Sequence, residues 1–96
     1  MPTSEARVAM ATPERYLTQL CKHFGHRVPV TFGDGSGSIA FPSGACALKA
    51  EPEALVMRVA ADDAAAVAQL EDVVARHLLR FAFRDPPQIA WLPVVD

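Results

Sequence analysis

Between Val28 and Ala61 the apolar side chains fall on alternate residues in four successive runs, and every run is broken by a cluster of turn-forming residues. Val28, Val30 and Phe32 share one face of "VPVTF", and Ile39 and Phe41 one face of "SIAFP". Cys46, Leu48 and Ala50 do the same in "ACALKAE", as do Leu55, Met57 and Val59 in "LVMRVAA". A period of two is the signature of strands with one face buried. The breaks are short: "GDGSG" from Gly33 to Gly37, then Pro42-Ser43-Gly44, then Glu51-Pro52-Glu53. Connections of this length cannot carry a crossover, so the four strands form an antiparallel meander.

The remaining segments supply another strand at each end and two helices. "EARVAM", residues 5–10, alternates through Ala6, Val8 and Met10. After it Thr12 is placed to cap a helix and Pro13 fits its first position, with Tyr16, Leu17, Leu20 and Phe24 at helical spacing and Gly25 as the stop. Asp62 and Asp63 open a longer helix through "AAAVAQLEDVVARHLLRF", where carboxylates suit the positive pole of the helix dipole. Asp85, Pro86 and Pro87 end the pattern, and "QIAWL" reads as a last strand before Pro93. The order is β-α-β-β-β-β-α-β. The fold class is therefore α+β in two layers, an antiparallel sheet with both helices on one face. The arrangement resembles TATA-binding-protein-like or helix-grip architectures, a likeness of fold that carries no function.

Composition narrows the function classes. The chain has 96 residues, 51% of them hydrophobic, which suits a single domain over residues 1–96. A formal net charge of -2 gives no global attraction to phosphate backbones or anionic lipid, so neither nucleic acid nor membrane is an expected partner. No apolar run approaches the roughly 20 residues of a membrane helix, and "MPTSEARVAM" lacks the basic and apolar regions of an export signal. The expected location is the cytoplasm, where Cys21 and Cys46 stay reduced and separate.

Three constellations have chemical potential. "CKHFGHR" sets Cys21, His23 and His26 close together, but helical residues two apart point roughly 200° from each other, so Cys21 and His23 cannot share an ion. Cys46 and His77 are isolated elsewhere, and no metal site or cofactor is assigned. The segment reads as a helix end, with Lys22, His23, His26 and Arg27 near the negative pole. On the second helix His77 falls roughly 20° from Leu70 and roughly 40° from Phe81 on a helical wheel, which predicts a buried ring facing the sheet. Such a ring needs a polar partner, and Tyr16 is a candidate. Arg76, Arg80 and Arg84 recur every four residues beside it. They serve either the helix dipole, with Asp72 pairing Arg76, or as a seat for a carboxylate or phosphate. The candidate ligand-binding set is thus Tyr16, His23, Arg76, His77, Arg80 and Arg84. No catalytic residue is assigned. Ser36, Ser38 and Ser43 sit in turns without a nucleophile elbow, and "GDGSG" lacks the lysine of a phosphate loop.

"RYLTQLCKHFGHRVPV", "GACALKA" and "LEDVVARHLLRFAFR", followed by Trp91, together resemble the bacterial domain of unknown function 2218 family over nearly the whole chain. Segments similar to that family also occur joined to flavin-dependent siderophore-interacting reductases. The resemblance implies an accessory role near iron acquisition, and no flavin or nicotinamide motif is visible in this chain. The expected function is a non-enzymatic binding or accessory module, taking a small anionic ligand or docking on a siderophore-processing protein. The alternatives are a metal- or haem-associated protein using His23, His26, His77 or the cysteines, and a purely structural homo-oligomer. A homodimer is the expected assembly in that last case. Its surface is the outward sheet face, read as Ala40, Ala45, Ala47, Val56 and Ala60 with only Thr31, Lys49 and Arg58 polar.

Overall fold

A computed structural model describes residues 2–94. The order runs β1 (Thr3–Ala9), α1 (Pro13–Phe24), β2 (Val30–Gly33), β3 (Ser36–Phe41), β4 (Gly44–Glu51), β5 (Ala54–Ala61), α2 (Ala64–Phe81) and β6 (Leu92–Pro93). All neighbouring strands are antiparallel, in the spatial order β2-β3-β4-β5-β1-β6. Strands β2 to β5 form the meander that the alternation predicts. The chain's first strand then pairs with β5 along its whole length, Thr3 opposite Ala60 through Ala9 opposite Ala54. Both helices cover the same face, α1 over β3 and β4 and α2 over β5, and they touch each other.

Local chemistry accounts for most boundaries. The turn between β2 and β3 is shorter than "GDGSG" suggests, because only Asp34 and Gly35 lie outside the ladder and Gly33 pairs with Ser36. Both turn residues have positive φ, 53° and 76°, the conformation that a two-residue hairpin needs to match strand twist. The carboxylate of Asp63 accepts a hydrogen bond from the Ala66 N–H at 2.8 Å, which caps α2 as expected. Thr12 does not cap α1 through its side chain, and Gly25 is right-handed at φ -61°. Helix α1 instead winds down through a turn in which the Arg27 and Val28 N–H groups both reach the Phe24 carbonyl, and Pro29 then forces extension. Val28 consequently precedes β2 and Phe32, at the sheet edge, is 45% exposed. The final strand also departs from "QIAWL": among the described residues it is Leu92 and Pro93 that pair, opposite Glu5 and Ser4.

Core side chains come from alternate strand positions and one stripe of each helix. Ala6, Val8, Ile39, Cys46, Leu48, Leu55, Met57 and Val59 are buried beneath Leu17, Leu20, Cys21 and Phe24 of α1 and Val67, Leu70, Val74 and Leu78 of α2. Burying each of the larger aliphatic groups stabilises the fold by about 1.5–3 kcal/mol. The stripe of α1 is rotated toward Cys21, which is fully buried, so Tyr16 is only half-buried. Gly37 permits this approach: a Cβ there would stand 2.8 Å from the Cys21 sulfur. On the open face Ala40, Ala45, Ala47, Val56 and Ala60 do point away from the helices. That face is more polar than its predicted list, because β1 adds Glu5 and Arg7, and they form ion pairs with Arg58 and Glu51. Among the described residues no helix is long and apolar enough to cross a membrane.

Candidate functional site

The last turn of α1 and the second half of α2 meet in a cluster of rings. Val73, His77 and Phe81 stand at i, i+4 and i+8, so they line one flank of α2. That flank faces α1 rather than the sheet, which is the correction to the wheel: the line packed on the strands is Val67, Leu70, Val74 and Leu78. His77 is accordingly half-buried, with its ring 4.8 Å from Phe24 and 4.9 Å from His23. His23 is itself held edge-on to Phe24 at 5.2 Å and to Phe81 at 5.5 Å. Phe41 of β3 closes the floor against Phe24.

The polar partner of His77 is not Tyr16. Its Nδ1 lies 2.6 Å from the carbonyl oxygen of Val73, one turn earlier in the same helix. Tyr16 lines a separate cleft with Met10, Thr12, Ala82 and Asp85. Arg76, His77 and Arg80 line a depression of about 380 Å³ beside the ring cluster. Within it the Arg76 Nε donates to Asp72 at 2.9 Å, whereas Arg80 has no ion pair among the described residues. Arg84 falls outside the row, because α2 ends at Phe81 and its guanidinium lies 5.7 Å over the exposed ring of Phe83. Four of the six sequence candidates, His23, Arg76, His77 and Arg80, are therefore brought together, and Tyr16 and Arg84 are not.

Electrostatics separate this cleft from the core. Partial desolvation among the rings, then the neighbouring His77 and the charges of His26, Arg27 and Arg80, hold His23 below the ordinary imidazole range. Two residues earlier on α1, burial pushes the Cys21 thiol up, and Cys46 beneath it is pushed up to about 12 by burial and by Cys21. Both are free thiols. The cysteines thus belong to the dry core and the histidines to the cleft.

The model of a bacterial family described as "Uncharacterized protein conserved in bacteria (DUF2218)" matches residues 5–92. The chain belongs to the DUF2218 family. It is also similar to PA4090 from Pseudomonas aeruginosa, whose NMR structure agrees with a TM-score of 0.84 at 34% sequence identity over 100% of both chains. No curated protein matches this DUF2218 chain. The match spans both the "CKHFGHR" segment and α2, so the two helices that share the ring cluster lie within the family's extent.

Local sequence signals found some of this site and missed the rest. The i,i+4 spacing of Arg76 and Arg80 marks one flank, and Asp72 at i,i+4 marks the partner of Arg76. Nothing local links His23 to His77, which are brought together only by the way the helices lie on the sheet. The aromatic floor of Phe24, Phe41 and Phe81 was likewise divided among three elements.

Proposed function

We propose that this DUF2218 chain is a non-enzymatic binding module that seats a small anion, a carboxylate or phosphate, in the depression on α2 lined by Arg76, His77 and Arg80, beside the ring cluster shared with α1. The observation that supports this most is Arg80, a cation without a carboxylate partner among the described residues, beside His77 in a depression whose other arginine is held by Asp72. An unpartnered guanidinium suits planar, bidentate recognition of such groups. The competing explanation is that the cations serve only the helix ends. Thermal unfolding in inorganic phosphate, phosphorylated metabolites and ferric siderophores separates the two. A ligand specific to the cleft raises the midpoint of the native chain and not of Arg80→Gln. Equal shifts in both proteins, or none in either, contradict the reading.

The finer proposal follows from the family resemblance to domains joined to siderophore-interacting reductases. It makes the chain a cytoplasmic accessory of iron acquisition that takes an anionic ferric siderophore or docks on a siderophore-processing protein. A structural homodimer through the open sheet face is the rival proposal. It predicts a dimer by light scattering at micromolar concentration that Ala47→Glu converts to a folded monomer, while a dimer indifferent to that change rules the face out.

A further inference from the structure

His77 reaches the cleft with one ring nitrogen already committed. A carbonyl oxygen only accepts, so the Nδ1 that lies 2.6 Å from Val73 O carries the proton, and in the neutral ring Nε2 presents a lone pair. Metal-ligating histidines are commonly set up in this way, with the other ring N–H donated to a carbonyl to fix the tautomer and raise basicity. The second observation is the spacing of the rings. With metal–nitrogen bonds of about 2.05 Å and the nitrogen about 1.15 Å from the ring centre, two imidazoles on one ion have centroids about 4.5 Å apart at 90° and about 5.2 Å apart at the tetrahedral angle. The centroids of His23 and His77 are 4.9 Å apart. Each ring is mounted on its own helix and steadied by phenylalanine contacts.

Among the described residues no third histidine, cysteine or carboxylate converges with these two. The remaining coordination positions would go to water or to a ligand from solution. Arg80, which lines the same depression as His77, repels a bare cation. An ion bound together with an anion does not meet that penalty. We propose that His23 and His77 form a two-imidazole fork for a late first-row divalent ion, bound with an anionic co-ligand that lies against Arg76 and Arg80. Imidazole nitrogen suits zinc, copper and nickel, and a site without oxygen donors does not suit magnesium or calcium. Only the co-ligand half of this proposal rests on the anion reading above; the imidazole half rests on the ring geometry.

The test uses tag-free protein labelled with ¹⁵N, Zn²⁺ as the ion and acetate as the anion, read at the imidazole nitrogens by long-range proton–nitrogen correlation and by calorimetry. One equivalent of Zn²⁺ should shift Nε2 of both His23 and His77 and leave the His77 Nδ1–H in place. His23→Ala, a change at an exposed ring, should lower Zn²⁺ affinity by at least about tenfold, and His26→Ala should keep it within about threefold. Acetate should tighten Zn²⁺ binding in the native chain and not in Arg80→Gln. Response at a single imidazole, at His26, or at none overturns the fork. Response at both imidazoles without any acetate effect overturns the co-ligand half and leaves the fork standing, while the anion reading stands or falls on the phosphate shift of the metal-free native chain against Arg80→Gln.

Discussion

Cys21 and His23 stand two residues apart on α1 and occupy opposite environments. Cys21 is fully buried over β3, pressed so close to Gly37 that a methyl group between them would not fit, and its thiol is held protonated by desolvation. His23 is exposed at the rim of a cleft, among aromatic rings and cations, with its imidazole biased toward the neutral form. A turn of 200° between them is all the sequence needs to separate packing from chemistry. The lesson is that the reactive-looking cluster "CKHFGHR" is not one site. Its thiol serves the sheet, and its histidine serves a surface completed by α2.

That contrast can be broken most forcefully by stability measurements on its two sides. Leu20→Ala, in the same buried stripe as Cys21, should cost about 2–5 kcal/mol through the cavity it leaves. His23→Ala should change stability by less than about 0.5 kcal/mol. Comparable losses in urea unfolding would mean that the rim is structural after all. The next effect is on pH. Cys46 has its thiol raised from 9.0 to about 12, so the folded chain holds a proton that the unfolded chain releases. Its contribution is whole below pH 9, falls between pH 9 and about 12 with a slope approaching about 1.4 kcal/mol per unit, and falls no further above that. Cys21 acts in the same direction. Replacing Cys46 with Ala should flatten this limb of the pH–stability curve, and an unchanged limb would contradict the dry environment assigned to the thiol. Both thiols should react with a disulfide reagent only after unfolding.

Smaller effects sharpen the cleft side. His77→Leu leaves the Val73 carbonyl with its helical hydrogen bond, so it should alter stability by less than about 1 kcal/mol in urea unfolding. In the native chain the His23 imidazole should titrate below 6.5 by NMR. The same His77→Leu variant removes one of the neighbouring charges and should move that midpoint upward. A midpoint that stays put would show that the two rings are not electrostatic neighbours in solution.

The sequence disclosed elements and withheld their mutual placement. Helix α2 could be read from Asp63 to Phe81 because a cap, an apolar stripe and a proline pair mark it at every turn. Strands β3 to β5 were equally plain, since a single-residue slip would have turned Leu48 or Met57 to solvent. Three features were hidden by tertiary choice. The wheel treats every apolar neighbour of His77 as sheet-facing, but Val73 and Phe81 face α1, so the ring went to the flank. Tyr16 fits the α1 stripe by spacing, yet the close approach at Gly37 rotated the helix toward Cys21. Arg84 keeps a four-residue period that the chain no longer obeys once α2 has ended. The shift of the last strand to Leu92–Pro93 has the same origin: pairing with Ser4 and Glu5, not alternation in "QIAWL", selects the residues that join the sheet.

The proposed binding surface of this DUF2218 chain is the ring pair His23–His77 with Arg76 and Arg80 beside it on α2. Titrating inorganic phosphate into ¹⁵N-labelled protein and following the backbone amides tests it most directly. Shifts should concentrate in residues 22–27 and 76–81 and vanish in Arg80→Gln. Shifts centred on the open sheet face around Ala47 and Arg58, or no shifts at all, would contradict it.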